Sequence, residues 1–259
     1  IVDCTLFALE KCEFPAINRK KNVCLSFEKF RKTCYPDGIH QKRTVILLKR
    51  KAMEDLIHWK SSPTRKPMII RGARQVGKTW LMKEFGQNSY ESYVYFNFDE
   101  EEELKSVFET NKNPQRLIEL LSMIAGEKIF PEKTLVIFDE IQECPEALNT
   151  LKYFKEKANN YHIIAAGSLL GTLLAEPKSY PVGMVNLLDL YPLTFDEFLS
   201  ATDPALYHIY LNIQKEQPIE EIFHNRLLEV YNNYLIIGGM PECVSCLLYT
   251  SPSPRDRSL

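Results

Sequence analysis

Eight consecutive residues constrain this chain more than any others: Gly72-Ala73-Arg74-Gln75-Val76-Gly77-Lys78-Thr79. The sequence has only 10 glycines in 259 residues, and two of them bracket four residues here, with a lysine beside the second. Upstream, Met68 to Arg71 is a short apolar run after Pro67, which reads as a strand. Downstream, Leu81 and Phe85 sit four apart in a predicted helix over Thr79 to Phe85, with Gly86 as its expected stop. A strand, the pattern G-x-x-x-x-G-K-[ST] and a helix, in that order, make a phosphate-binding loop. Glycine is needed because successive backbone N–H groups must turn inward around a phosphate, where a Cβ would collide or forbid the dihedrals. The helix N-terminus adds unpaired donors and the positive end of its dipole. Lys78 supplies a cation for the β- and γ-phosphates and Thr79 a hydroxyl for Mg²⁺. The expected nucleotide-binding set is therefore Gly72, Ala73, Arg74, Gln75, Val76, Gly77, Lys78, Thr79 and Trp80. A bare glycine turn ahead of a helix would not require the Lys-Thr pair.

Such a loop also needs a carboxylate on the metal side. "LVIFDE" provides it: four apolar residues, then Asp139 and Glu140 at the carboxyl end of a strand, where ligands bind in open α/β sheets. Asp139 is the expected Mg²⁺ partner, directly or through water, alongside Thr79. Glu140 is placed to orient and polarise an attacking water. Between Lys78 and Asp139 there is room for another strand, "YVYFNF", and another helix, so the Asp139 strand does not directly follow the phosphate loop. An additional strand combined with a carboxylate after the Asp is typical of AAA+ and RecA-like ATPases. The chain also lacks the Asn-Lys-x-Asp guanine motif, so ATP is the expected nucleotide. Ser168 ends the next strand, "HIIAAG"; it is either a sensor touching the γ-phosphate or attacking water, or the N-cap of a following helix.

The remaining pattern alternates strands and helices. Asn113 is an N-cap, Pro114 a first helical residue and Gly126 a terminator, with Leu117, Leu121 and Ile124 on one face. Pro145 to Ala158 is a helix with Leu148, Leu151 and Phe154 inward, and Val185 to Leu190 is a further strand. Thr194 and Glu197 have capping-box spacing, with Phe195, Phe198 and Leu199 as core. Pro218 to Leu235 is an amphipathic helix with Ile222, Phe223, Val230 and Tyr234 apolar. The acidic run Asp99 to Glu103 suits a solvated helix start better than a metal site. The expected fold is α/β: a parallel sheet with helices on both faces, then a small helical region.

Four segments are expected: an N-terminal extension over 1–50, poorly ordered or non-native; a core over 51–200; a lid-like helical region over 201–246; and a disordered, artefactual tail over 247–259. The chain starts at Ile1 rather than at a methionine, which reads as a fragment or a processed product. A net charge of -2 gives nucleic-acid binding no support. Neither a transmembrane run nor a signal peptide is evident, so no membrane is expected and the location expected is cytoplasmic. Seven cysteines, an odd number, do not read as a disulfide framework, and Cys243-x-x-Cys246 lacks the second pair a zinc site needs.

"RGARQVGKTWLMKEF", "TLVIFDEIQECPEALNTLKYFKE", "AAGSLLG", "PVGM", "LYPLTFDEFL" and "YLIIGGMPE", in this order from about Met53 to Glu242, resemble AAA-like bacterial and archaeal ATPases that carry a C-terminal domain of unknown function. The resemblance implies a phosphate-loop ATPase core followed by a small helical region. Two departures stand out. The C-terminal domain would begin just after "GGMPE" and is missing, and Met184 replaces a basic residue usual after the glycine at Gly183. The function expected is Mg²⁺-dependent ATP hydrolysis, with Lys78, Glu140 and Ser168 catalytic. The alternative is a nucleotide-dependent interaction switch with little hydrolysis, acting on a protein partner or through self-association. Arg226 is either a lid arginine reaching the nucleotide or a surface cation.

Overall fold

Apolar runs that alternate between two faces define the centre of this protein. The computed structural model describes residues 48–168, 183–213 and 218–250, with side chains to 248. Expectations for residues 1–47, for 251–259 of the expected tail and for a helix after Ser168 lie outside the described residues; 247–250, expected as part of a disordered tail over 247–259, instead close a helix, with Leu247 and Leu248 packed against apolar neighbours.

In chain order the elements are α1 (Ala52–Ser61), β1 (Met68–Arg71), α2 (Lys78–Ser89), β2 (Ser92–Asn97), α3 (Glu102–Thr110), α4 (Pro114–Ala125), β3 (Thr134–Asp139), a 3-10 turn (Ile141–Glu143), α5 (Pro145–Lys157), β4 (His162–Gly167), β5 (Asn186–Asp189), α6 (Phe195–Thr202), α7 (Pro204–Leu211), α8 (Glu221–Ile237) and α9 (Pro241–Thr250). The sheet has the order β2-β3-β4-β1-β5, and each of its pairings is parallel. As expected, a strand intervenes in sequence between β1 and β3; in space β4 separates them.

Because side chains alternate along a strand, each central strand feeds two cores. Ile69, Val94, Phe96, Val136, Phe138, Ile163 and Ala165 face Leu104, Phe108, Leu117, Leu121, Leu148, Leu151 and Phe154 of α3, α4 and α5. Met68, Ile70, Leu135, Ile137, Ile164 and Ala166 face Leu56 and Trp59 of α1 and Leu81, Met82 and Phe85 of α2. Helices thus cover both faces, which is why the strands read as continuous apolar runs. A third cluster joins Leu193, Phe198, Leu199, Leu206, Val230 and Val244 in the helical region that follows the sheet.

Local signals explain the boundaries. Asn113 accepts from the Gln115 amide, Pro114 opens α4, and Gly126 closes it at φ 70°. Thr194 and Glu197 form the full capping box on α6, and Glu102 and Glu103 occupy the first turn of α3. Three expectations fail. Gly86 does not stop α2, which continues to Ser89; a Cβ there would lie 2.9 Å from Cβ and Cγ of Tyr93, so the glycine lets helix and β2 approach. Ile124 is 46% exposed while Ile118 takes its place in the core. Ile222 is likewise exposed, leaving Phe223, Val230 and Tyr234 to pack in the third cluster.

Candidate active site

Parallel register brings the carboxyl ends of β1, β3 and β4 to one edge: Arg71 pairs with Gly167, and Phe138 with Ala165. The loop Gly72–Gly77, the Asp139-Glu140 pair and Ser168 all leave the sheet there. Val76, fully buried in the core beneath α2, anchors the loop. Gln75 and Gly77 have φ of 65° and 90°, and left-handed residues at alternate positions curl a backbone so that its amides converge. Gly72 is forced by close approach, since a Cβ would stand 2.2 Å from the Leu190 carbonyl oxygen. Ala73, Arg74 and Gln75 face solvent, and Trp80 is 40% exposed on the first turn of α2.

Lys78 is buried, and its Nζ donates to the carbonyls of Gly72 at 2.9 Å and Ala73 at 2.7 Å. Burial lowers its pKa, an effect opposed by the carboxylates of Glu140 and Asp139 and reinforced by Arg74. The cation thus lies folded over the loop it would serve, with two acidic neighbours sustaining its charge.

Asp139 is 3% exposed. Its Oδ2 accepts from the Thr79 hydroxyl at 2.6 Å and from the Tyr95 hydroxyl at 3.0 Å, while Oδ1 accepts from the Glu140 amide at 3.0 Å. Burial, then the Asp139 charge, raises the Tyr95 pKa, so the phenol remains a donor. Glu140 adopts φ 50°, a conformation that costs a non-glycine residue about 1–3 kcal/mol and that concentrates at functional sites. This kink opens the 3-10 turn, from which Gln142 Nε2 donates to Glu140 Oε2. Ser168 Oγ reaches the same oxygen at 3.4 Å.

Other sequence-derived candidates separate from this cluster. Met184 precedes β5 at the end that pairs with the start of β1, whereas the loop Gly72–Gly77 follows the end of β1. β5 alone spans roughly 10 Å, so a base at 184 would not reach the loop of its own chain. Arg226 pairs with Glu229 at 2.6 Å and Asp203 at 3.5 Å, the arrangement of a surface cation. Arg71 chelates Asp189 through two bonds of 2.8 and 2.7 Å. Reading the sequence missed Tyr95, Gln142 and Arg50. Tyr95 was hidden in an aromatic strand, although its alternation with Phe96 puts it on the Thr79 side. Gln142 stood two residues after Glu140 in "DEIQ". Arg50, in the segment expected to be a loose extension, is buried and donates to the Val76 carbonyl.

Residues 64–199, more than half of the chain, match the model of a family described as "AAA domain". The chain belongs to this AAA domain family. No curated protein matches its sequence. Among solved structures, this AAA chain is similar to the Walker-type ATPase PABY2304 of Pyrococcus abyssi, with 17% identity and a TM-score of 0.48 over 76% of this chain and 66% of that one. It is similar to PCH-2 of C. elegans, with 17% identity and a TM-score of 0.42 over 78% of this chain and 60% of the other. A Drosophila ORC structure bound to DNA gives 16% identity and a TM-score of 0.42 over 72% and 54%. The AAA chain therefore spans between 54% and 66% of the length of these relatives. No helix among the described residues is long and apolar enough to cross a membrane.

Proposed function

We propose that this AAA domain binds MgATP on Gly72–Thr79 and hydrolyses it. The observation that carries this is the 2.6 Å bond between Thr79 Oγ1 and Asp139 Oδ2, which joins the phosphate loop to the carboxylate strand at the sheet edge. A hydroxyl and a carboxylate this close are hard oxygen donors suited to Mg²⁺, which takes one or two protein ligands and fills its shell with water and substrate phosphates. Among the described residues no three His, Cys, Asp or Glu side chains gather into an all-protein cage, consistent with that mode. Thr79 and Asp139 would hold the ion; bound there, it neutralises charge on the phosphates.

The chain's own groups supply the rest. Loop amides and the α2 N-terminus receive phosphate oxygens. Lys78 exchanges the carbonyls of Gly72 and Ala73 for the β- and γ-phosphates. Glu140 accepts a proton from the attacking water as the water oxygen bonds the γ-phosphorus and the bond to the β–γ bridging oxygen breaks, releasing ADP and phosphate, with Gln142 and Ser168 holding the Glu140 carboxylate. ATP is consumed in the cytoplasm, and the partner is a protein or a second copy of the chain.

A switch with slow hydrolysis is the second reading. It is favoured by Arg71 and Arg226 being engaged by Asp189, Asp203 and Glu229, since an added guanidinium accelerates phosphoryl transfer by about 10³ or more. Met184 no longer supports it, because of its distance from the loop. Multiple-turnover phosphate release by wild type and Glu140→Gln separates the two. Hydrolysis predicts measurable turnover that falls on the order of 10²-fold or more in the variant; turnover absent from both favours the switch.

A further inference from the structure

Arg50 is buried, with 8% of its surface exposed, at the start of the α1 segment and outside the phosphate-loop motif. Its guanidinium has three partners in three different segments. Nη1 donates to the Val76 carbonyl at 2.9 Å, Nη2 to the Tyr191 carbonyl at 2.5 Å, and Nε to Glu197 Oε1 at 3.3 Å. Glu197 is itself 7% exposed and fixed on its other sides: Oε1 accepts from the Lys51 amide at 2.7 Å, and Oε2 from the Thr194 amide at 2.9 Å.

From this geometry we infer that Arg50 is a positioning residue. It sets the direction of the Gly77 amide in the phosphate loop and, through Glu197, ties that loop to the helical region. The inference rests on the reading that ATP binds at this loop. A trans peptide places its C=O and N–H on opposite sides of the C–N bond. Holding the Val76 carbonyl toward Arg50 therefore turns the Gly77 N–H away from Arg50. Gly77, at φ 90° and without a side chain, offers no steric barrier to rotation of that peptide. The buried Val76 side chain anchors one end of that peptide, and the Arg50 bond fixes the direction of its carbonyl. A Cβ at Gly77 would sit 3.8 Å from both Arg50 Nη1 and Pro241 Cγ, so α9 borders the same glycine. The guanidinium meets these acceptors from three separate nitrogens held in one plane; an ammonium also has three donors, but all on one nitrogen, and does not span the same spacing. The neighbouring segment is positioned with it, since Leu190, one residue before Tyr191, donates its amide to the Arg71 carbonyl at 2.7 Å.

The test uses the full chain as wild type, Arg50→Lys, and Arg50→Met combined with Glu197→Gln, the last leaving no charge buried without its partner. Two quantities are read: amide hydrogen exchange over residues 72–79 without nucleotide, and equilibrium affinity for ATP with Mg²⁺. The inference predicts faster exchange in the loop with β3 exchange unchanged, and affinity lowered on the order of tenfold in both variants at temperatures where each is folded. A purely structural role predicts a lower melting temperature with loop exchange and affinity at wild-type values, and that result overturns the inference. A wild-type chain that fails to bind ATP sinks the nucleotide reading by itself; loop exchange then decides the positioning role alone.

Discussion

Thr79 and Asp139 lie 60 positions apart in the chain, yet the hydroxyl of one donates to the carboxylate of the other at 2.6 Å. The first belongs to the opening turn of α2 and the second closes β3. Neither side chain is free to drift, because Tyr95 and the Glu140 amide also hold the carboxylate. Two oxygen donors are thus brought together before any ion is needed to gather them.

Replacing Thr79 by alanine should therefore weaken ATP binding in the presence of Mg²⁺ on the order of tenfold, the scale of one hydrogen bond to a charged group. In excess chelator, wild type and variant should bind ATP equally, and Thr79→Ser should restore the Mg²⁺ benefit. Titration of ATP at fixed protein, with and without Mg²⁺, checks this.

Gly86→Ala should destabilise the protein. In an exposed helix interior this change is favourable by about 1 kcal/mol. Here the new methyl would stand 2.9 Å from Tyr93 Cβ, an atom close to the β2 backbone that cannot swing away. Overpacking of this kind costs about 1–3 kcal/mol, so the sign reverses. Urea denaturation with unchanged m-value measures it, and a stabilised variant would mean that α2 and β2 separate easily.

His162 sets an acid limit on stability. It is buried at the start of β4, shares a 2.7 Å hydrogen bond with the Tyr90 hydroxyl, and packs edge-on to Trp59. Burial, then the nearby charges of Arg65 and Lys60, lowers its pKa to about 4. The unfolded chain, with an ordinary histidine near 6.5, binds the proton first. Stability is thus fully present above about pH 6.5 and declines as pH falls toward 4. His162→Gln, which does not titrate, should flatten the stability profile across that window. An unchanged slope would assign acid sensitivity to other groups.

Much of this was legible in the sequence because local chemistry and tertiary role agree. Asn113, Pro114 and Gly126 bound α4 through the same capping that makes them recognisable. Continuous apolar runs such as Leu135–Phe138 are strands because both faces are buried. The loop Gly72–Gly77 between β1 and α2 is contiguous, so its spacing is readable without a third dimension. What failed depends on neighbours that a single segment does not contain. Gly86 looks like a terminator until Tyr93 is placed against it, and Ile124 looks inward until α4 is rotated onto α3 and α5. Arg50 gave no periodic signal; its three partners are 26, 141 and 147 residues away. Met184 looked like a missing phosphate contact because family position says nothing about which end of a strand it occupies.

Lys78 is the buried cation of the loop, and its Nζ lies within 2.9 Å of two loop carbonyls. Equilibrium binding of ATP with Mg²⁺ to wild type and Lys78→Ala, each shown folded by its melting transition, is the decisive measurement. Wild type should bind saturably, and the variant's affinity should fall on the order of 100-fold, as expected when a buried charge-assisted contact is lost. Equal affinity in the two folded proteins would contradict MgATP binding at this loop.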